Sequence, residues 1–307
     1  MPDATLPRGA DDRPDPFTAA HAAARLDGTV MAQAVRCARD LAECAASYPA
    51  VFAAKPIDET MLTAMACANA FGSPELDAGG IRMAARASLW FTGLDFLVDH
   101  VATELAEIEE INRRCLDVAD GAPPPPGDDL TRFLADIRDE AMKSPAFEAL
   151  WGHWRAQFVR LLESGAREWT WKSGARAELP TFDAYLDNAD NYGAAWVNIS
   201  HWVVHADQGV IDHIDELQVV SRQVQRVLRL LNDLATYERD LTWGDLNAQM
   251  LGVDRDGIVA RIDEIVAHCR ELVLPLVDDC PDAVAYLARQ IGFNTSFYGL
   301  TDYWGSL

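Results

Sequence analysis

The chain has 307 residues, half of them hydrophobic, and a formal charge of −22. That charge argues against nucleic acid, whose binding rests on basic groups neutralising phosphates, and against stable docking on anionic membranes. One domain of this size can bury a large core, while six cysteines without metal-type spacing, no apolar signal core and no apolar run of membrane-span length point to a reduced, cytoplasmic protein.

Residues 1–16 are polar and rich in Pro and Asp, which predicts a disordered tail ahead of a single domain over residues 17–307. Beyond it, Ala, Leu, Arg and Glu recur with a helical period, few stretches alternate as strands do, and no repeat or glycine-rich phosphate loop occurs. The prediction is an all-α bundle of roughly ten or more helices. Asp95 and Asp99 follow the apolar Leu89-Trp90-Phe91 at i, i+4, so on a helix both face one site, with Thr103 a turn further on and Glu104 beside it. Alone, the two aspartates also read as surface carboxylates. The proline-rich stretch from Asp120 to Gly127 is a loop between helices rather than a domain boundary.

His201 and His205, at i, i+4 with His213 beyond, have a spacing that suits zinc. However, Trp202 stands where a zinc-protease helix carries Glu, and no third ligand is evident. A literal Asp-Asp-x-x-Asp pattern occurs at Asp278-Asp279-Cys280-Pro281-Asp282. Pro281 suits the first turn of a helix and Asp279 its N-cap, so this run reads as a helix start and not a metal site.

The most informative stretch is Asn232-Asp233-Leu234-Ala235-Thr236-Tyr237-Glu238-Arg239-Asp240. Asn232, Thr236 and Asp240 stand at i, i+4, i+8, so on a helix they drift about 40° and rise about 6 Å per step and point the same way. An amide oxygen, a hydroxyl and a carboxylate in line are a hard-oxygen ligand set suited to Mg²⁺, which commonly completes its shell with water and phosphate oxygens. Val224, Val227, Leu228, Leu230, Leu231 and Leu234 make the same helix broadly apolar, so it is predicted to be buried and its polar groups to need partners. A polar stripe on a solvated helix, or a non-enzymatic helical binding protein, would not account for that combination.

This stretch resembles the second metal motif of class I terpene synthases, Asn/Asp-Asp-x-x-Ser/Thr-x-x-x-Glu/Asp, and Gly244, Asp245 and Asn247 follow at the spacing of bacterial members. Arg239 occupies a position where that family often has a diphosphate-contacting Lys or Arg, and Arg229, one turn before Asn232, is a second candidate. The resemblance implies an aspartate-rich motif upstream. Asp99 matches its leading aspartate, His100 replaces the second, and Asp95 and Glu104 are candidate helpers. The segment Tyr185-Leu186-Asp187-Asn188-Ala189-Asp190-Asn191-Tyr192-Gly193 resembles the family's diphosphate-sensing segment. Gly193 is at the carbonyl-supplying position, but Ala189 replaces the sensor arginine. The C-terminal Arg-Tyr pair becomes Asp302-Tyr303.

The resemblance therefore implies a class I terpene synthase fold, a helical bundle around a central apolar cavity. Phe96, Trp196 and Phe297 are the preferred aromatic lining. It implies about three Mg²⁺ ions bound together with a prenyl diphosphate. The two missing arginines and the short chain point to a diterpene synthase acting on geranylgeranyl or copalyl-type diphosphate. A sesquiterpene synthase using farnesyl diphosphate and a prenyltransferase-like protein remain the alternatives. A homodimer, and a place after a class II cyclase, are both allowed.

Overall fold

The structure, a computed structural model, describes residues 15–53, 57–174 and 179–304. Among these residues every regular element is a helix, as the periodicity predicts: α1 (Pro16–Ala46), α2 (Pro49–Phe52), α3 (Glu59–Gly72), α4 (Arg82–Phe96), α5 (Leu105–Ala119), α6 (Asp129–Ala141), α7 (Phe147–Ser173), α8 (Phe182–Asp187), α9 (Ala194–His205), α10 (Gln208–Asp212), α11 (Ile214–Trp243), α12 (Arg255–Val273) and α13 (Pro281–Tyr298). The tail expected over residues 1–16 lies outside the described residues as far as residue 14. Asp15 and Pro16 instead open α1: the Asp15 carboxylate accepts from the backbone N–H groups of Phe17 and Thr18, and Pro16 takes the first turn.

The same capping chemistry starts α3 at Asp58, α6 at Asp128 and α12 at Asp254. At α13 the expectation fails in part. Pro281 does begin the helix, but the capping position is Cys280 and makes no side-chain bond, while Asp279 turns its carboxylate to His213 at 3.3 Å. The proline-rich loop of residues 120–127 joins α5 to α6, and these two helices pack on each other.

The long helix α11 is the centre of the bundle, packed by α9, α12 and α13. Its Val224, Val227, Leu228, Leu230 and Leu231 are buried, and only Leu234 of the apolar run is partly open. Helix α4 packs on α1, α3, α6 and α9. It runs so close to α2 that a Cβ on Gly93 would lie 2.7 Å from Val51 Cγ1. Between α4, α7 and α9 sits an aromatic core of Trp90, Trp154, Phe158 and Trp196, with ring centroids 5.1–5.5 Å apart. No helix among the described residues is long and apolar enough to cross a membrane.

Candidate active site

Helices α3, α4, α9, α11 and α13 enclose a cavity of about 240 Å³, a scale suited to one small molecule. Its depth is apolar, with Met61, Met65, Phe91, Val197 and Leu228, and its mouth is acidic, with Asp95, Asp99, Asp240 and Asp245. The two sequence motifs, more than a hundred positions apart, thus open onto one space.

On the first wall, Asp95 ends α4, and Asp99 lies in a π-helical turn, Leu97–Val101, closed by the Ala102 N–H donating to the Leu97 carbonyl at 2.8 Å. The wide turn presents Asp99 and His100 together to the cavity. His100 packs its ring 5.2 Å from that of Trp243, a packing role consistent with its poor suitability as a hard-ion ligand. Burial pushes the Asp99 carboxyl up, opposed by the Lys172 ammonium, and burial followed by the Asp99 charge pushes Asp95 well above the ordinary carboxylate range. Glu104 does not join them. Ala102 leaves the helix with extended backbone, and Glu104 caps α5 with an exposed side chain outside the cavity lining.

On the second wall, Asn232 and Asp240 line the cavity, with Asn232 donating to the Tyr298 hydroxyl at 3.4 Å. Thr236 is buried between them. Its hydroxyl is 2.6 Å from Asp240 Oδ2 and 2.9 Å from the Asn232 carbonyl, and its single proton can serve only one of them. Asn247 donates to the same Asp240 oxygen at 2.8 Å. Burial raises the Asp240 carboxyl despite these two donors. The neighbouring Asp233 points away from the cavity, into a buried network with Tyr185 and the Ala248 backbone N–H.

The basic candidates are both paired already. Arg239 lines the cavity, is bonded to Asp302, and stacks 4.9 Å from the Trp243 ring centroid. Arg229 reaches the lining, but its donors go to the Tyr185 hydroxyl at 2.6 Å, Glu168 Oε1 at 2.8 Å and the Leu246 carbonyl at 3.3 Å. Tyr303 lines the cavity and donates to Asn294. Gly193 sits at the break before α9 with φ +77°, where a Cβ would meet the Phe91 ring at 2.6 Å, so only glycine fits. Its carbonyl accepts from the Trp196 and Val197 N–H groups, both at 3.1 Å, and so is engaged in starting α9.

The three preferred aromatics fall outside the lining. Trp196 belongs to the aromatic core, Phe96 stacks towards His100, and Phe297 packs between Phe293 and Tyr303. The rings that do line the space are Phe91, Tyr192, Trp243, Tyr286, Tyr298, Tyr303 and Trp304, with the His100 imidazole. The sequence reading also missed Lys172 and Glu168 on α7, which carry no periodic or motif signal and become visible only when α7 is laid beside the mouth.

The histidines are dispersed in their bonding. His201 is buried against Tyr286 with its pKa lowered to about 3 by burial and by His205, while His205 shares a 2.7 Å hydrogen bond with the Gly80 carbonyl. Asp279 is exposed and remote from the cavity lining, so Asp279→Ala is expected to leave turnover and its metal dependence within about twofold of wild type, within the spread of surface substitutions. A dead but folded variant would put the acidic site in the wrong place.

The donor set suits Mg²⁺. All the candidate oxygens are hard, and Thr236 Oγ1 and Asp240 Oδ2 are 2.6 Å apart, close to the roughly 3 Å edge of an octahedron with ligands at about 2.1 Å. Among the described residues no three His, Cys, Asp or Glu side chains converge as a metal cluster, so amide, hydroxyl and ligand oxygens would have to complete any shell.

The buried acids also set a pH dependence. Burial raises Asp95 against the lowering effect of Lys172, and against that of Arg229 it raises Glu168 and takes Asp233 up to about 7. A carboxyl whose folded pKa is raised binds more protons folded than unfolded, so stability falls as pH rises through that window. Metal-free protein is expected to melt higher at pH 6 than at pH 8, by about 1 kcal/mol from Asp233 or on the order of 2–4 °C. Thermal melts in chelator at the two pH values check this, and a lower melting point at pH 6 contradicts it.

Residues 87–271, which carry both walls, match the family model described as terpene synthase family 2, C-terminal metal binding. The chain is 26% identical over 279 residues, covering 89% of it and 93% of the relative, to ent-pimara-9(11),15-diene synthase of Streptomyces sp. (strain KO-3988). Its fold is similar to that of 2-methylisoborneol synthase from Streptomyces coelicolor A3(2) in complex with Mg²⁺ and geranyl-S-thiolodiphosphate (TM-score 0.72, 14% identity, 90% of this chain and 93% of that one). It is likewise similar to isoprene synthase from grey poplar leaves (Populus x canescens) with three Mg²⁺ ions and dimethylallyl-S-thiolodiphosphate (TM-score 0.66, 18% identity, 89% of this chain and 55% of that one). At these identities the two structures show the shared all-α fold.

Proposed function

The chain belongs to terpene synthase family 2 and is a class I terpene synthase, and from that premise we propose that it ionises geranylgeranyl or copalyl-type diphosphate in a Mg²⁺-dependent reaction and cyclises the resulting cation. The observation that carries this reading is the meeting of Asp95 and Asp99 with Asn232 and Asp240 at the mouth of one aromatic-walled cavity. The choice of a diterpene substrate is supported by the 26% identical relative, named for a pimaradiene.

Asp99, Asn232, Thr236 and Asp240 would hold the ions, with Asp95 beside them. Mg²⁺, when bound, supplies Lewis-acid neutralisation of the diphosphate as its C–O bond to the prenyl chain breaks. The chain does the rest. Met61, Met65 and Leu228 keep water from the apolar end, and the rings of Phe91, Tyr192 and Tyr298 offer π faces to a carbocation within the space they bound. Arg239, beside Asp240 and stacked on Trp243, is the cation at the mouth nearest the second motif.

Separate incubations with farnesyl, geranylgeranyl and copalyl diphosphates, with Mg²⁺ and with EDTA, followed by gas chromatography–mass spectrometry, test the proposal. A cyclic product from geranylgeranyl or copalyl diphosphate, abolished by EDTA, is expected. The copalyl substrate alone would put the enzyme after a class II cyclase. A product from farnesyl diphosphate alone would make it a sesquiterpene synthase and overturn the substrate assignment.

A further inference from the structure

The last turn of α7 brings one ammonium group between the two walls. Lys172, with its side chain 12% exposed, donates to Asp99 Oδ1 at 2.6 Å and to Asp245 Oδ1 at 2.9 Å. Asp99 follows α4 and Asp245 follows α11, so a single cation ties the aspartate-rich turn to the segment just after the second motif. Among the described residues the two cations that line the cavity are already engaged, Arg229 by Glu168 and Arg239 by Asp302.

We infer that Lys172 is a latch: it is the countercation of Asp99 and Asp245 in the metal-free protein, and a divalent ion binding at Asp99 must displace it. The inference rests on the proposed reading of Asp99 as a metal ligand. The physical reason is competition for one oxygen. Asp99 Oδ1 already accepts a short, charge-assisted hydrogen bond, and a Mg²⁺ ion needs ligand oxygens at about 2.1 Å. An ammonium and a dication cannot both sit against that oxygen without strong repulsion at the low dielectric of a partly buried site. Lysine suits the task, since its point charge rides on a flexible stem that can swing away without breaking a planar fork of bonds. The latch also explains how a mouth carrying four acidic side chains stays compact before any ion arrives.

Full-length protein, freed of metal, is titrated with MgCl₂ in the presence of inorganic diphosphate by calorimetry, and its melting temperature is recorded in chelator. Lys172→Met is expected to melt lower without metal, because two carboxylates lose their partner, and yet to bind Mg²⁺ about tenfold more tightly, because the competitor is gone. Lys172→Gln, which keeps a donor without the charge, moves both readouts the same way by less, and Lys172→Arg stays close to wild type in the melt. A purely structural pair would lower the melting point while leaving Mg²⁺ affinity unchanged or weaker, and that result in Lys172→Gln overturns the latch alone. Wild-type protein that binds no Mg²⁺ with diphosphate overturns the reading of the site and the latch with it.

Discussion

Asp240→Asn is expected to lower kcat/KM by about a thousandfold or more, roughly 4 kcal/mol of transition-state stabilisation, without lowering the melting temperature. The two halves of this expectation come from the same carboxylate. Asp240 Oδ2 accepts from Thr236 and Asn247, and an asparagine oxygen can take that place with its amide nitrogen turned to the position of Oδ1. The local hydrogen bonds and volume are therefore kept. Burial already raises the Asp240 carboxyl, so deleting the charge relieves a desolvation cost in the metal-free fold. What is lost is the anionic oxygen facing the cavity, on the wall where Asn232 and Asp240 are proposed to hold Mg²⁺. Diphosphate release at saturating Mg²⁺ and a thermal melt measure the two effects separately. More than about a tenth of wild-type kcat/KM in a normally folded Asp240→Asn protein would remove Asp240 from the metal site.

What could be read from the sequence divides along a physical line. The burial of Val227 and Leu230 and the turning of Asn232 to the cavity follow from the pitch of a single helix, whose spacing says which face each occupies. Asp95 and Asp99 share the cavity although the π turn begins between them. The reading fails where the helix phase is interrupted. The π turn and the extended Ala102 throw Glu104 out to solvent, although counting along the chain sets it one turn past Asp99. Phe96, Trp196 and Phe297 are near motif residues in sequence, but ring position across a bundle depends on which helix face packs inward. Tyr192, before the break at Gly193, and Tyr298, next to Phe297 at the end of α13, line the cavity instead. Lys172 is 73 positions from both of its carboxylate partners, a relation no local pattern encodes.

Arg229 is where the two kinds of knowledge disagree, and Arg229→Met discriminates between them. Its place one turn before Asn232 suggests a diphosphate contact. The structure instead surrounds it with buried acceptors: Glu168 at 2.8 Å, the Tyr185 hydroxyl at 2.6 Å and Asp233 at 3.5 Å, with the guanidinium 4.6 Å over the Tyr185 ring. Methionine fills much of the volume but leaves Glu168 and Asp233 without their countercation. Breaking a buried pair from one side costs about 3–5 kcal/mol, so the melting temperature should fall on the order of 10 °C. Arg229→Lys should recover little of this, because a point ammonium cannot span the acceptors a guanidinium fork reaches. The loss should also shrink between pH 8 and pH 6, where Asp233 and Glu168, no longer held charged by Arg229, take up protons. A variant that melts within about 2 °C of wild type yet no longer binds diphosphate with Mg²⁺ would return Arg229 to the substrate.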